Sequence, residues 1–154
     1  MNDQYARQLP WFQRTCLVVS DLTKAFEVYS DLLGFSIAYT GKDSPDAYTY
    51  EIFNIDNNIQ TSFATLSSVQ QQRTLALVEV PKLQIYKNDI KISAIVVQVD
   101  DVSNILAKAT ALSLTTTKPR IHEPLTGIAG RVEASFNDFD GHPIVIYQLL
   151  GVNS

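Results

Sequence analysis

Side chains able to do chemistry are scarce in this chain of 154 residues. It has one cysteine, two histidines and 16 carboxylates. Cys16 sits inside the apolar run Thr15-Cys16-Leu17-Val18-Val19, with no histidine or lysine beside it. A thiol attacks only as a thiolate, so Cys16 would need a depressed pKa to act; otherwise it is an inert buried group. His122 and Glu123 are adjacent and could form an acid/base pair, against the plainer reading of two surface side chains. His142 closes Asp138-Phe139-Asp140-Gly141-His142, a hairpin-turn signal, where a solvated side chain is expected. A single cysteine rules out an intrachain disulfide and a zinc site built on several thiolates.

The elements that must position these groups occur twice. A segment starting at Thr15 and another starting at Ser93 align when Asp21 is placed on Asp101, an offset of 80 residues. Val19 then falls on Val99, Leu22 on Val102, Ala25 on Ile105, Phe26 on Leu106 and Leu32 on Leu112. Each copy is a short apolar run, then an aspartate, then apolar residues at helical spacing. In the first, Asp21 can cap a helix whose stripe is Leu22, Ala25, Phe26, Tyr29, Leu32 and Leu33, and Gly34 supplies a left-handed stop. In the second, Asp100 or Asp101 can cap, and Val102, Ile105, Leu106, Ala109 and Leu112 form the stripe.

Strands are expected at Leu17–Val19, Phe35–Tyr39, Tyr48–Ile55, Thr61–Leu66, Thr74–Val80, Ile95–Val99, Leu114–Lys118, Arg131–Asn137 and Pro143–Leu149. Thr126–Gly130, with two glycines, is expected to be a mobile loop. The pattern predicts one α+β domain over 1–154. Two βαβββ modules, about 13–81 and 92–150 with a linker at about 82–91, form a curved, cup-shaped mixed sheet with helices on its outer face.

Composition narrows the function classes. The chain is 45% hydrophobic and 18% charged, with 12 Lys plus Arg against 16 Asp plus Glu and a net charge of −4. No Lys/Arg cluster is present to neutralise phosphates, so nucleic acid is not an expected partner. No apolar stretch approaches the ~18 residues of a membrane span, and the start lacks the apolar core of a secretory signal. A cytoplasmic protein is expected.

The run from Asp21 to Phe35, DLTKAFEVYSDLLGF, and the closing Asp138–Ile146, DFDGHPIVI, resemble the vicinal oxygen chelate superfamily: glyoxalase I, bleomycin-resistance proteins, extradiol dioxygenases and methylmalonyl-CoA epimerases. Val28 departs from the usual Phe of the opening motif. The resemblance spans roughly residues 13–150. It implies a metal held by a His on the first strand of each module and a carboxylate on the last. Carried over, the histidine positions fall on Arg14 and Ala94, and one carboxylate position on Val145. The other falls on Ala76, or on Glu79 if the register shifts by three. Residues 76 and 79 face opposite sides of a strand, and Ala76 is favoured because Leu75 and Leu77 then pack toward the helix. On that reading no metal ligand remains, and even with Glu79 a single carboxylate does not make a transition-metal site. No cofactor is expected.

The same parity aims Thr15, Leu17, Val19, Ile95, Val97, Val99, Ile144 and Ile146 at the helices. Arg14, Cys16, Val18, Ala94, Val96, Gln98, Val145 and Tyr147 then line the cup. Such a lining suits a small amphipathic or anionic organic ligand, with an apolar body on Val18, Val96 and Val145 and an anionic group near Arg14. An ion pair of Arg14 with Glu79 or Glu133, in a cup filled as core, is the competing reading. The leading expectation is a metal-independent binding protein of the bleomycin-resistance type. The alternative is a glyoxalase-like lyase, isomerase or dioxygenase with a displaced metal, using Glu79, His122 and Glu123. Aromatics such as Tyr48, Tyr50, Phe53 and Phe63 are expected in core or interface. Trp11 and Phe12, an apolar arm outside the repeat, are expected to bury in a two-fold homodimer or to fold back as a lid.

Overall fold

The computed structural model describes residues 9, 11–83, 90–91 and 93–151. The first module runs β1 (Thr15–Val19), α1 (Leu22–Phe26), a π-helical continuation (Glu27–Leu32), β2 (Ser36–Lys42), α2 (Tyr48–Ile52), β3 (Ser62–Ser67) and β4 (Leu75–Glu79). The second runs β5 (Ile95–Gln98), α3 (Val102–Ala111), β6 (Arg120–His122), β7 (Arg131–Asn137) and β8 (Pro143–Leu149). Each builds a four-stranded mixed sheet, ordered β1-β4-β3-β2 and β5-β8-β7-β6. This is the α+β architecture of two repeated modules that the sequence predicts. Of the expected linker, residues 84–89 lie outside the described residues.

The repeat is reproduced in register. β1 runs parallel to β4 with Cys16 beside Ala76, and β5 runs parallel to β8 with Val96 beside Val145. Both helices start alike: Asp21 Oδ1 accepts from Lys24 N at 3.1 Å and Asp101 Oδ1 from Asn104 N at 2.9 Å. A second cap, unseen in the sequence, also repeats. Glu79 Oε2 accepts from Leu22 N at 2.7 Å, and Gln148 Oε1, at the equivalent point of β8, accepts from Val102 N at 3.2 Å. Each helix therefore has a strand-borne acceptor for an amide that would otherwise be unpaired.

One core lies between the helices and both sheets. Leu17, Val19, Leu75 and Leu77 of the first sheet share it with Ala134, Phe136, Ile144 and Ile146 of the second, as strand parity requires. Tyr29 OH donates to Asp138 Oδ2 at 2.8 Å, and Ser20 N donates to Asp140 Oδ2 at 3.0 Å. His142 Nε2 stands 2.7 Å from Val18 O. Because a carbonyl only accepts, the proton of that ring sits on Nε2. His142 is thus no solvated turn residue: the hairpin turn between β7 and β8 latches the second module onto the β1–α1 junction of the first.

Three local expectations are corrected. Tyr48–Ile55 is not a strand. Lys42 pairs with Ser62 where β2 meets β3, so residues 43–61 are left to form the connection, in which Tyr48–Ile52 makes one helical turn. Tyr50 is buried there, its hydroxyl accepting from Thr61 N at 3.4 Å; tertiary context overrides the β propensity of Tyr and Thr. Leu114–Lys118 makes only an isolated bridge, Thr116 to Phe136, and the strand forms beyond it at Arg120–His122. Pro119, with no N–H to give, separates the two. Finally, the first helix widens after Phe26: Leu33 N bonds Val28 O, five residues back. Val28, outside the expected stripe, is fully buried by that widened turn.

Candidate functional site

The sheet faces opposite the helices differ between the modules. In the first, cross-strand register lines up Cys16, Ala76, Thr65 and Tyr39, with Val18, Val78, Phe63 and Gly41 in the next row. Ala76 and Val78 are fully buried and Thr65 nearly so. In the second, Val96 is 65% exposed. The centre of the first face is buried, and the second face is the more open of the two.

Cys16 is half-buried, and burial pushes its thiol pKa up; Arg14 pulls it down less, and Asp43 adds to the rise. A neutral thiol at neutral pH is no nucleophile. Glu79 lies on the helix side, paired in register with Val19 and engaged by Leu22 N, so it does not reach the concave face. Ala76, beside Cys16, does. Arg14 pairs with neither expected carboxylate, because Glu79 caps α1 and Glu133 is held elsewhere.

The open half carries a polar cluster that sequence reasoning undervalued. Glu133 Oε2 accepts from Arg131 Nε at 3.0 Å and lies 3.6 Å from His122 Nε2. His122 therefore turns to Glu133 and not to Glu123, which is exposed. Register places Arg120, Glu133, Tyr147 and Gln98 in one row across β6, β7, β8 and β5, and Tyr147 OH donates to Gln98 Oε1 at 3.1 Å. The available signal was the i, i+2 spacing of Arg131 and Glu133, which puts both on one strand face. The partner strand was hidden by the misplacement of β6.

A trough of about 540 Å³ runs over Val96, Val145, Tyr147, Leu149 and Ile128, with Arg131 and Glu133 on its wall. A smaller arm of about 230 Å³ continues toward Lys118, Arg120 and His122, sharing Glu133 and Val145. Thr126–Gly130 overhangs it as part of a turn in which Leu125 and Ile128 exchange backbone hydrogen bonds of 3.0 and 2.9 Å. Among the expected ligand contacts, Val96, Val145 and Tyr147 line the trough and Gln98 holds the Tyr147 hydroxyl. Arg14, Cys16 and Val18 belong to the other module's face.

Residues 11–146 match the model of the glyoxalase/bleomycin resistance protein/dioxygenase superfamily. The chain belongs to that superfamily. Its fold is similar to that of a glyoxalase family protein from Bacillus cereus, at 11% identity and a TM-score of 0.74 over 95% of this chain and 98% of that one. The trypanothione-dependent glyoxalase I of Leishmania major gives 19% identity, a TM-score of 0.61, and coverage of 90% and 86%. The fosfomycin resistance protein of Listeria monocytogenes, solved with Mn(II) and sulfate, gives 14%, 0.61, and 92% and 93%. At these identities the likeness is one of fold. None of the curated proteins is similar enough in sequence to match.

Membership sharpens the question of a metal. The positions to which the sequence resemblance carries the superfamily's metal ligands hold a guanidinium at Arg14, methyl groups at Ala76 and Ala94, and an isopropyl at Val145. Thr65, paired in register with Ala76, has a buried Oγ1 without a hydrogen-bond partner among the described residues, and it is a neutral hydroxyl. Nor does any group of three or more His, Cys, Asp or Glu among those residues come close enough to hold an ion. The donors present do not fit a divalent cation at that position. No helix among the described residues is long and apolar enough to cross a membrane.

Proposed function

We propose that this superfamily member binds a small amphipathic organic molecule on the concave face of its second module, without a metal at the superfamily's usual position. The observation that carries this is the trough: about 540 Å³ of space with an apolar floor of Val96, Val145 and Leu149 and few polar groups on its wall. The test is a thermal-shift and calorimetric screen of aromatic and aliphatic compounds, with elemental analysis of protein purified without chelator or affinity metal. We expect stabilisation by a subset of compounds, unchanged after EDTA treatment, and metal well below one per chain. Stoichiometric Mn, Fe, Ni or Zn overturns metal independence; a broad panel with no stabilisation overturns ligand binding.

A proton-transfer enzyme is the second reading, favoured by the approach of His122 to Glu133 on the trough wall. Under it, His122→Gln abolishes turnover of any substrate found while leaving its binding in place.

The N-terminal arm supports a proposal of two-fold self-association. Phe12 is 74% exposed and Trp11 44%, and Phe12 lies over a groove of about 260 Å³ beside Ala94–Val97 and Phe35. Burying each ring would contribute roughly 1.5–3 kcal/mol. Sedimentation equilibrium of the Trp11→Ser, Phe12→Ser double variant is the check. A dimer held by the arm dissociates, a lid leaves the mass unchanged, and a monomeric wild type overturns the proposal.

A further inference from the structure

The smaller arm of the trough has a charge imbalance that the apolar floor does not need. Arg120 stands directly opposite Glu133 across the β6–β7 pair, the natural place for an ion pair. Glu133 instead turns to Arg131 and His122. Arg120 and Lys118, both exposed on the wall of the arm, are left with no carboxylate partner among the described residues. Three permanent cations therefore meet one carboxylate along this wall, in a chain whose net charge is −4. The imbalance is local and opposite in sign to the whole molecule. It lies at the end of an apolar channel through the shared Val145, which places charge and apolar surface in the order an amphipathic anion presents them.

We infer that the ligand is an organic carboxylate, its head group taken by Lys118 and Arg120 and its apolar body lying along Val145 toward Val96. This rests on the proposed binding function and moves the anion-binding group from Arg14, on the first module, to β6 and the segment before it. Glu133 shapes the charge there. By engaging Arg131 and His122 it leaves Arg120 unpaired across the β6–β7 pair, and with Arg131 neutralised the net positive charge of the wall is that of Lys118 and Arg120.

Matched probes test this: 4-phenylbutanoate, 4-phenylbutan-1-ol and 4-phenylbutylamine, compared by calorimetry at low salt with wild type and with the Lys118→Gln, Arg120→Gln double variant. Both residues are exposed, and circular dichroism and melting confirm that the variants fold. The expected result is binding of the carboxylate about tenfold or more tighter than the alcohol, as charge-assisted hydrogen bonds would give. That preference disappears in the double variant while alcohol binding is kept. In Lys118→Glu, Arg120→Glu the preference passes to the amine. Equal binding of carboxylate and alcohol by wild type, or a preference that survives the double variant, overturns the head-group assignment alone. Failure of both the acid and the alcohol to bind overturns it together with the trough as a binding site.

Discussion

Replacing Asp138 by alanine should lower stability by roughly 3 kcal/mol or more, since buried donors left unpaired cost about 1–3 kcal/mol each. Three donors depend on this carboxylate. Tyr29 OH, itself fully buried, donates to Oδ2 at 2.8 Å, and the backbone amides of Asp140 and His142 donate to Oδ1 at 3.0 and 2.8 Å. Two of the three bonds are buried and the third is partly so, and two of them hold the turn that latches the modules together. Asp138→Asn, which keeps an acceptor oxygen for those amides, should lose much less. Urea denaturation of both variants is the measurement, and equal losses would show that the acceptor oxygen kept by asparagine does not carry the effect.

The same residue gives a pH dependence whose sign is fixed. Burial raises the Asp138 carboxyl above its ordinary value, outweighing the pull of the His142 ring, the Tyr29 hydroxyl and the His142 amide, and the charge of Asp140 adds to the rise. A carboxyl with a raised folded-state pKa adds stability below its unfolded pKa and loses that stability as pH rises through the folded one. The margin of wild type over Asp138→Asn should therefore shrink as pH rises above about 4, the ordinary aspartate value. A margin that grows over that range contradicts the direction of the shift.

How much of this was legible in the sequence differs by element. The two capping aspartates and their apolar stripes were readable because caps and helical spacing are local. The parity of β1, β5 and β8 was readable for the same reason, and it aimed Leu17, Ile144 and Ile146 at the core. The second cap was not, because Glu79 and Gln148 differ in type and become equivalent only once β4 and β8 are laid beside β1 and β5. Nor was the His122–Glu133–Arg131 cluster. Its members come from two strands whose register depends on where β6 begins, and that start lies beyond Pro119 at Arg120 rather than at Leu114. Arg14 pairs with neither Glu79 nor Glu133 for a related reason: the one caps α1 and the other is held by His122 and Arg131, and both placements are tertiary facts. The segment 43–61, read partly as a strand, includes the buried Tyr50 and Thr61.

That asymmetry between the modules leads to the second large effect. Val145 lines both arms of the trough and stands between Val96 and Ser135 in the concave row. Its counterpart in the repeat is Ala76, fully buried beside Cys16. The two substitutions Val145→Trp and Ala76→Leu should therefore act in opposite ways. The indole at 145 has open space to enter, so it fills the trough with little cost to the fold. If it displaces roughly 100 Å² of ligand carbon, at about 25 cal/mol/Å² the loss is about 2.5 kcal/mol, a weakening on the order of 50-fold. At 76 there is no such space, and overpacking costs about 1–3 kcal/mol of stability while leaving the trough of the other module untouched. Calorimetry with 4-phenylbutanoate and urea denaturation of both variants separate the outcomes. A Val145→Trp protein that binds as wild type does would remove the trough as the site. An Ala76→Leu protein as stable as wild type, with weakened binding, would place the ligand back in the first module's half of the cup, where the superfamily's usual ligand positions begin.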